Sequence, residues 1–509
     1  MTRLHRAAGE CRIRQNSIIS IDFIEFHIPE SNHGYLPFPV MPSEADSSLT
    51  ESLWRAVGGD RDALGSLSVT RADAWLGGPL AVDELAVGAV AAALMGAAEL
   101  AHARGAARPA VELSAEHVAL SFQSERHVLI DGRSTGAGFA PLSRLVECAN
   151  GGWLRTHGNY PHHAAAIGRA LGIDVAGDQQ RAAERLAQAA LTAEAIELES
   201  AVVAAGGCAA ALRTRQQWDS HPAGRAVAAA PLVAIEHELA AGSELALPPA
   251  ADVARPCEGI RVLDLTRVIA GPVGARTLAA LGADVLRIDP PHLPEIPEGH
   301  VDTGAGKRAA ALDLADAERR EALLAGAHVL VTGYRPGALA QFGLGAADLA
   351  ERHPHLVQVS LSAWGTTGPW GNRRGFDSLV QVASGIATEC AAGDGTPGVL
   401  PAQALDHATG HLVAAVALRA LAMRAAGEAT GPARLSLART AHELLRAPRP
   451  EVTASAAAGA ADPAAHRVTF GRVSLIAPPG TLDRRPLRWP HGPHELGSDS
   501  PSWPAGLGA

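Results

Sequence analysis

The sequence predicts an α/β protein: an open, largely parallel, Rossmann-like sheet covered by helices, with a smaller α+β domain beside it. Three observations carry that expectation. The stretch 259–289, GIRVLDLTRVIAGPVGARTLAALGADVLRID, reads as a strand (260–265), a loop, a helix (about 273–281) and a second strand (284–288), which is a βαβ unit. Strand and helix patterns then keep alternating to about residue 445, the signature of parallel strands with crossover helices. Finally, 509 residues with 47% hydrophobic content are enough for two or more domains.

Taken in order, the chain divides into five stretches. Residues 1–40 are rich in Ile, Phe, His and Asn, unlike the Ala, Gly and Arg that follow. They read as a disordered or mis-started extension before Met41. Residues 41–239 hold a long Ala-rich helix (82–104), then a strand and short helix (110–122), a short strand (127–130) and a hairpin around the turn dipeptide Asn150-Gly151. A helix from Pro161 to Leu171, amphipathic helices over 177–204 and a strand in GGCAAALRT follow, with 218–224 as a loop. Residues 240–258 read as a linker. Residues 259–445 carry the βαβ unit, further strands at 309–313, 328–332, 356–362 and 434–437, and helices at 316–324, 336–342, 346–352, 376–386 and 407–425. Residues 446–509, ending in a Pro-, Gly-, Arg- and His-rich run, read as a tail wrapping the surface. One internal echo stands out. The text from Ala81 and the text from Gln403 both give an acidic residue, an Ala-rich helix, a Gly-containing break, a strand and a helix, as two related halves would.

A net charge of −10 argues against a nucleic-acid binder, although a local basic pocket for an anionic ligand stays open. No apolar run is expected to be long enough to cross a membrane, and the N-terminus lacks the layout of a signal peptide. Cys11, Cys148, Cys208, Cys257 and Cys390 are far apart, which suits a reducing, cytoplasmic compartment and no zinc site.

Two carboxylates stand out chemically. Asp406 precedes a long helix and reads as an N-cap, where the helix dipole favours a carboxylate. Such a group, ionised at neutral pH, can attack a thioester without a separate base. Asp377 reads either as a first-turn acid paired with an Arg or as a carboxylate in proton transfer. Arg267, Lys307, Arg308, Arg335 and Arg374 fall near the mouths of strands, where several cations would suit a phosphorylated ligand. Gly304 to Lys307 fails as a P-loop, because Val301 and Arg308 stand where its Gly and Ser or Thr belong. His157, His162 and His163 lack acidic or Cys partners at ligand spacing, so no metal site is expected.

Six ordered motifs now resemble one family. They are GIRVLDLTRVIAGP, LGADVLRID, GKR with ALDL, VLVTGYRPGAL, GFDSLVQVASG and the Asp406 segment. Together they resemble the class III CoA-transferases, the group of formyl-CoA transferase and carnitine CoA-transferase, related to α-methylacyl-CoA racemase. Residues 140–226 are similar to that family's later, small-domain portion, which here precedes the Rossmann-like part, so the halves stand in rearranged order. The resemblance implies an interlocked homodimer with no tightly bound cofactor, taking acyl-CoA and a carboxylic acid acceptor as substrates. It places the catalytic aspartate at Asp406 and a supporting acid at Asp377. It places CoA contacts at Ile269, Ala270, Leu312, Asp313, Leu314, Ala315, Gly333, Tyr334, Arg335, Arg374, Gly375 and Phe376. Gln341 stands where an arginine is common in the family. The alternatives are a racemase-type isomerase, for which 360–368 offers no histidine, and a non-catalytic CoA-binding paralogue.

Overall fold

The computed structural model describes residues 48–70, 75–136, 138–240, 245, 247–293, 295–450 and 461–504. The expected extension at 1–40, with Cys11, lies outside them. The described part belongs to one compact unit, Ser47–Ala509.

Its centre is a seven-stranded sheet in the order Lys307–Ala311, Asp284–Asp289, Arg261–Leu265, Val329–Thr332, Val357–Ser362, Ala433–Ser436, Ala234–Ile235. The first six are parallel; Ala234–Ile235 closes one edge antiparallel. In chain order the six run 3-2-1-4-5-6, so the order reverses between Arg261–Leu265 and Val329–Thr332. A crevice forms at such a reversal, outside the carboxyl ends of the strands. The opposite edge is covered by the tail, where Asp499 bridges Ala310 and its carboxylate accepts from Ala309 N at 2.7 Å. Both edges are thereby protected from strand addition. The expected parallel, helix-covered sheet is what the structure shows.

The helices of the core are Ala-rich because they approach closely. Val82–Ala103, Ala270–Ala280 and Ala404–Ala425 are buried along most of their length. A Cβ on Gly410 would lie 2.3 Å from the Ala270 carbonyl oxygen, and one on Gly274 would lie 2.7 Å from that of Gly410. Only glycines allow this crossing, and it sets the start of Ala404–Ala425 beside the loop after Arg261–Leu265. Val82–Ala103 corrects one expectation: with a mean hydropathy of 1.6 it is long and apolar enough to cross a membrane. Yet 94% of that window is buried inside the protein, against the Ala404–Ala425 helix among other partners. It is a core helix.

The echo noted in the sequence has a structural counterpart. Val82–Ala103 leads to Val111–Ser114 and Ala115–Ser121, and Ala404–Ala425 leads to Ala433–Ser436 and Leu437–Arg446. Both long helices have 22 residues, and both short ones are capped by a serine, Ser114 accepting from His117 N and Ser436 from Arg439 N.

Around this core lie three smaller sheets. Leu67–Thr70 and Val111–Ser114 run parallel and are extended by Thr481–Leu482 and Arg485–Pro486. Arg467–Phe470 and Val473–Ile476 join Leu129–Ile130 and Arg133–Ser134. The hairpin Leu145–Glu147 and Trp153–Thr156, with Asn150 and Gly151 both at positive φ, takes Ala209–Ala211 as a third strand. The strand Leu67–Thr70 was not foreseen. The expected loop at 218–224 is instead two helices, Arg215–Ser220 and Pro222–Ala229, started by a Thr214/Gln217 capping box and by His221 before Pro222. The helix expected over 336–342 shrinks to a 3-10 turn, Ala340–Phe342, because Gly337 and Gly343 bracket it at positive φ.

Candidate functional site

A cavity of 380 Å³ opens at the reversal of the sheet. Of the residues expected to touch CoA, it is lined by Ala270, Asp313, Leu314, Gly333, Tyr334, Arg335, Arg374, Gly375 and Phe376, together with Asp406. Ile269, Leu312 and Ala315 lie outside its lining. Ile269 is the N-cap residue of Ala270–Ala280, Leu312 is buried in a core cluster and Ala315 is exposed.

Asp406 is not an N-cap. Its helix starts earlier, at Ala404, with Gln403 at the cap position and no capping side chain. That leaves amides of the first turn in need of acceptors. Asp377, the first residue of Asp377–Ser384, supplies them: its carboxylate accepts from Leu405 N at 2.9 Å and Asp406 N at 3.0 Å. It also accepts from the Gln381 amide, whose oxygen takes Leu400 N at 2.8 Å. Of the two readings of Asp377, the one that paired it with an arginine gives way to this backbone clamp. Asp377 is fully buried and stands behind Asp406 rather than in the cavity.

Asp406 itself is 6% exposed, and its side-chain oxygens accept no hydrogen bond among the described residues. Burial pushes its carboxyl well above the usual range, with the nearby charges of Asp377 and then Glu125 adding to it. Burial likewise pushes Asp377 up to about 6, against the lowering effect of its three hydrogen-bond donors. The ordinary ionised carboxylate expected at 406 is thus corrected to a buried acid pair that resists carrying two charges.

The basic residues separate into two kinds. Lys307 is fully buried, donating to Asp264 at 2.9 Å and to the Pro272 carbonyl at 2.8 Å, which ties the first turn of Ala270–Ala280 to the sheet. Arg308 pairs with Asp284 at 3.0 Å, away from the cavity. Arg335 and Arg374, in contrast, line the cavity and have no ion pair or side-chain hydrogen bond among the described residues. Arg267 also lines it, 3.6 Å from Glu295 and stacked over Tyr160.

Glu295 and Tyr160 were not singled out by the sequence. The Glu295 carboxylate accepts from Tyr160 Oη at 2.5 Å, Arg287 at 2.9 Å, Ile296 N at 2.9 Å and Val268 N at 3.1 Å. Burial opposes its charge, but Arg287 and Arg267 prevail and hold its pKa at about 2. Val268 needs that hold, because a β-branched residue at φ 69 is strained by about 1–3 kcal/mol. No local pattern could reveal Glu295, since its partners lie at 160, 268 and 287.

The first half of the chain closes the cavity with Tyr160, His162 and His163. His157 stacks on Phe376 with ring centroids 3.6 Å apart, and His163 meets the same ring edge-on at 5.7 Å. The sequence presents these histidines only as metal-ligand candidates; their place in the wall depends on the fold bringing 160–163 to 376.

Residues 257–469 match the model of CoA-transferase family III. The chain is 32% identical over 192 residues to the probable fatty acyl-CoA transferase Rv3272 of Mycobacterium tuberculosis, covering 35% of this chain and 49% of that one. It is 33% identical over 175 residues to the mouse succinyl-CoA:glutarate CoA-transferase, covering 31% and 40%. A crystal structure of Rv3272 aligns at 31% identity with a TM-score of 0.35, covering 37% of this chain and 56% of that one. The chain thus spans about half or less of the length of these curated relatives. The resemblance read from the six motifs holds over the Rossmann-like part.

Proposed function

We propose, for a chain whose residues 257–469 match CoA-transferase family III, that it moves CoA from an acyl-CoA thioester to a carboxylic acid, with Asp406 as the nucleophile. The observation that carries this is a buried carboxylate without a hydrogen-bond donor on its oxygens, opening into the cavity at the sheet reversal. In the proposed sequence an Asp406 oxygen attacks the thioester carbonyl, the C–S bond breaks, and CoA thiolate leaves a mixed anhydride. The thiolate then attacks the Asp406 carbonyl, releasing the donor acid and leaving an aspartyl-CoA thioester. The acceptor carboxylate attacks that thioester, and the thiolate takes the acceptor's acyl group from the second anhydride, restoring Asp406. A carboxylate whose pKa is raised attacks more strongly once ionised, because its charge is poorly solvated where it sits. Asp377 fixes the turn that aims it.

CoA enters along the lining from Arg335 and Gly333 toward Gly375, with Arg335 free to meet a phosphate. The first half supplies the opposite wall, which supports the reading of two partial, related copies fused in rearranged order. Whether chains also pair as a homodimer is part of the same proposal. Asp406→Asn tests it. Transfer from succinyl-CoA or acetyl-CoA to a carboxylate is expected to vanish while the circular dichroism spectrum is kept; an Asn variant with full activity refutes the assignment.

One observation favours a second reading. His163 shares the cavity with Asp406, so the histidine missing from 360–368 is available from the first half, as a racemase would need. Deuterium uptake at the acyl α-carbon without any acceptor acid would mark that activity.

A further inference from the structure

The helices Arg215–Ser220, Pro222–Ala229 and Leu437–Arg446 meet around an open groove of 500 Å³, lined by Arg215, Asp219, Arg225, His442 and Arg446 above apolar side chains. It shares no lining residue with the cavity at the sheet reversal. Leu437, at the far end of the last helix, lines that cavity, and the rise of an α-helix puts Arg446 about 14 Å away from it. The groove thus sets three guanidiniums against one carboxylate, in a chain whose net charge is −10.

Two of the three arginines are held in place by the main chain. Arg215 donates to the Leu445 carbonyl at 2.7 Å, and Arg225 donates to the Ser220 carbonyl. A carbonyl fixes a guanidinium without cancelling its charge, and it leaves most of the five N–H donors open. Arg446 has no ion pair or side-chain hydrogen bond among the described residues. The counter-charge in the lining, Asp219, lies 3.8 Å from Arg215 with its side chain 55% exposed, where water screens it. His442 senses the same charges. Burial, Arg439, Arg446 and Arg215 bring its pKa down to about 4, against the pull of Glu443. Arg439 is itself paired with Glu443 at 2.5 Å. The neutral ring can offer one N–H without adding a charge that the guanidiniums would repel.

We propose that this groove is a second binding site, one that takes a phosphate monoester. Charge and shape select that ligand. A monoester carries about −1.5 to −2 charges at pH 7 and presents three strong acceptor oxygens. Guanidinium forks bind such oxygens in pairs, so three arginines from three helices can close on one phosphate. A single carboxylate would occupy one fork and leave the other guanidiniums repelling each other. The groove is open, so the group esterified to the phosphate can lie toward solvent. Inorganic phosphate offers the same oxygens, and the test separates the two sources. The proposal stands apart from the transferase reading and does not rest on it.

The test is calorimetric titration of the full chain with methyl phosphate, inorganic phosphate and acetate, for wild type, Arg225→Gln, Arg446→Gln and Arg374→Gln. Arg225 and Arg446 are exposed, so their variants are expected to fold, which circular dichroism checks. At about pH 8 wild type should bind methyl phosphate at least as tightly as inorganic phosphate, and acetate far more weakly. Binding should weaken about tenfold at about pH 5, where the phosphate regains its second proton. Arg225→Gln and Arg446→Gln should each weaken it about tenfold, the loss of charge-assisted hydrogen bonds from one guanidinium. Arg374→Gln, in the other cavity, should leave it unchanged. Binding lost in Arg374→Gln places the anion in that cavity and overturns the proposal. So does binding that neither groove variant weakens, or acetate bound as tightly as the phosphates. Inorganic phosphate bound without methyl phosphate shows a site closed to esters and overturns it as well, as does the absence of heat up to about 10 mM methyl phosphate.

Discussion

At the scale of single residues, the Asp377–Asp406 pair sets the behaviour of the site. Both carboxyls are raised on folding, so the folded protein holds their protons more tightly than the unfolded chain does. The stability this gives is present in full below the ordinary carboxylate value of 3.8 and is lost as pH rises through about 6 for Asp377 and beyond for Asp406. Asp406→Asn removes one charge of the pair. Its Tm by calorimetry is therefore expected to exceed that of wild type at about pH 8, with the gap closing toward about pH 4. A buried charge that destabilises its own fold is a common feature of working sites. With Asp406 as the proposed nucleophile, activity has the opposite slope: log kcat/KM should climb as pH rises above the ordinary carboxylate range and level off only once Asp406, held well above that range, is ionised. The sequence offered Asp406 as a candidate at the start of a long helix, but not its place inside that helix or its environment. The two amides that Asp377 accepts lie 28 and 29 residues away, and only the fold shows them.

At the scale of elements, the contact between Ala270–Ala280 and Ala404–Ala425 carries the site's precision. The Gly410 position comes one helical turn after Asp406, against the loop that lines the cavity. Gly410→Ala would drive a methyl into the Ala270 carbonyl, so the helices must separate. The expected cost is about 1–3 kcal/mol by urea unfolding, with a fall in kcat from the displacement of Asp406. A variant with unchanged stability and turnover would show that the crossing is looser than the structure has it. Elements with strong local signals were readable: the βαβ unit, the hairpin at Asn150-Gly151 and the helix Ala346–Arg352 all stand where the pattern puts them. Those set by tertiary partners were not. Leu67–Thr70 is a strand because Val111–Ser114 lies alongside it, and 218–224 is helical through capping that a turn-like composition hides.

At the scale of the whole molecule, neither half is self-sufficient. Ala404–Ala425 is buried along most of its length, and its cover includes Val82–Ala103. The tail strands Arg467–Phe470 and Val473–Ile476 are completed by Leu129–Ile130, and Ala234–Ile235 completes the large sheet. Residues 245–504 expressed alone are expected to aggregate, and co-expression with 48–240 should restore a soluble complex; a soluble, CoA-binding second half alone would contradict this. The parallel sheet was legible because its strands are consecutive apolar runs. The packing of Val82–Ala103 on Ala404–Ala425 was not visible, since Ala-rich helices look alike wherever they pack. The most direct test of the account is chemical trapping at the nucleophile. The protein is incubated with acyl-CoA, treated with hydroxylamine and digested, and the peptide carrying residue 406 is weighed. The account predicts a hydroxamate on Asp406 that needs acyl-CoA to form; an unmodified Asp406 under turnover, or an adduct on another residue, would contradict it.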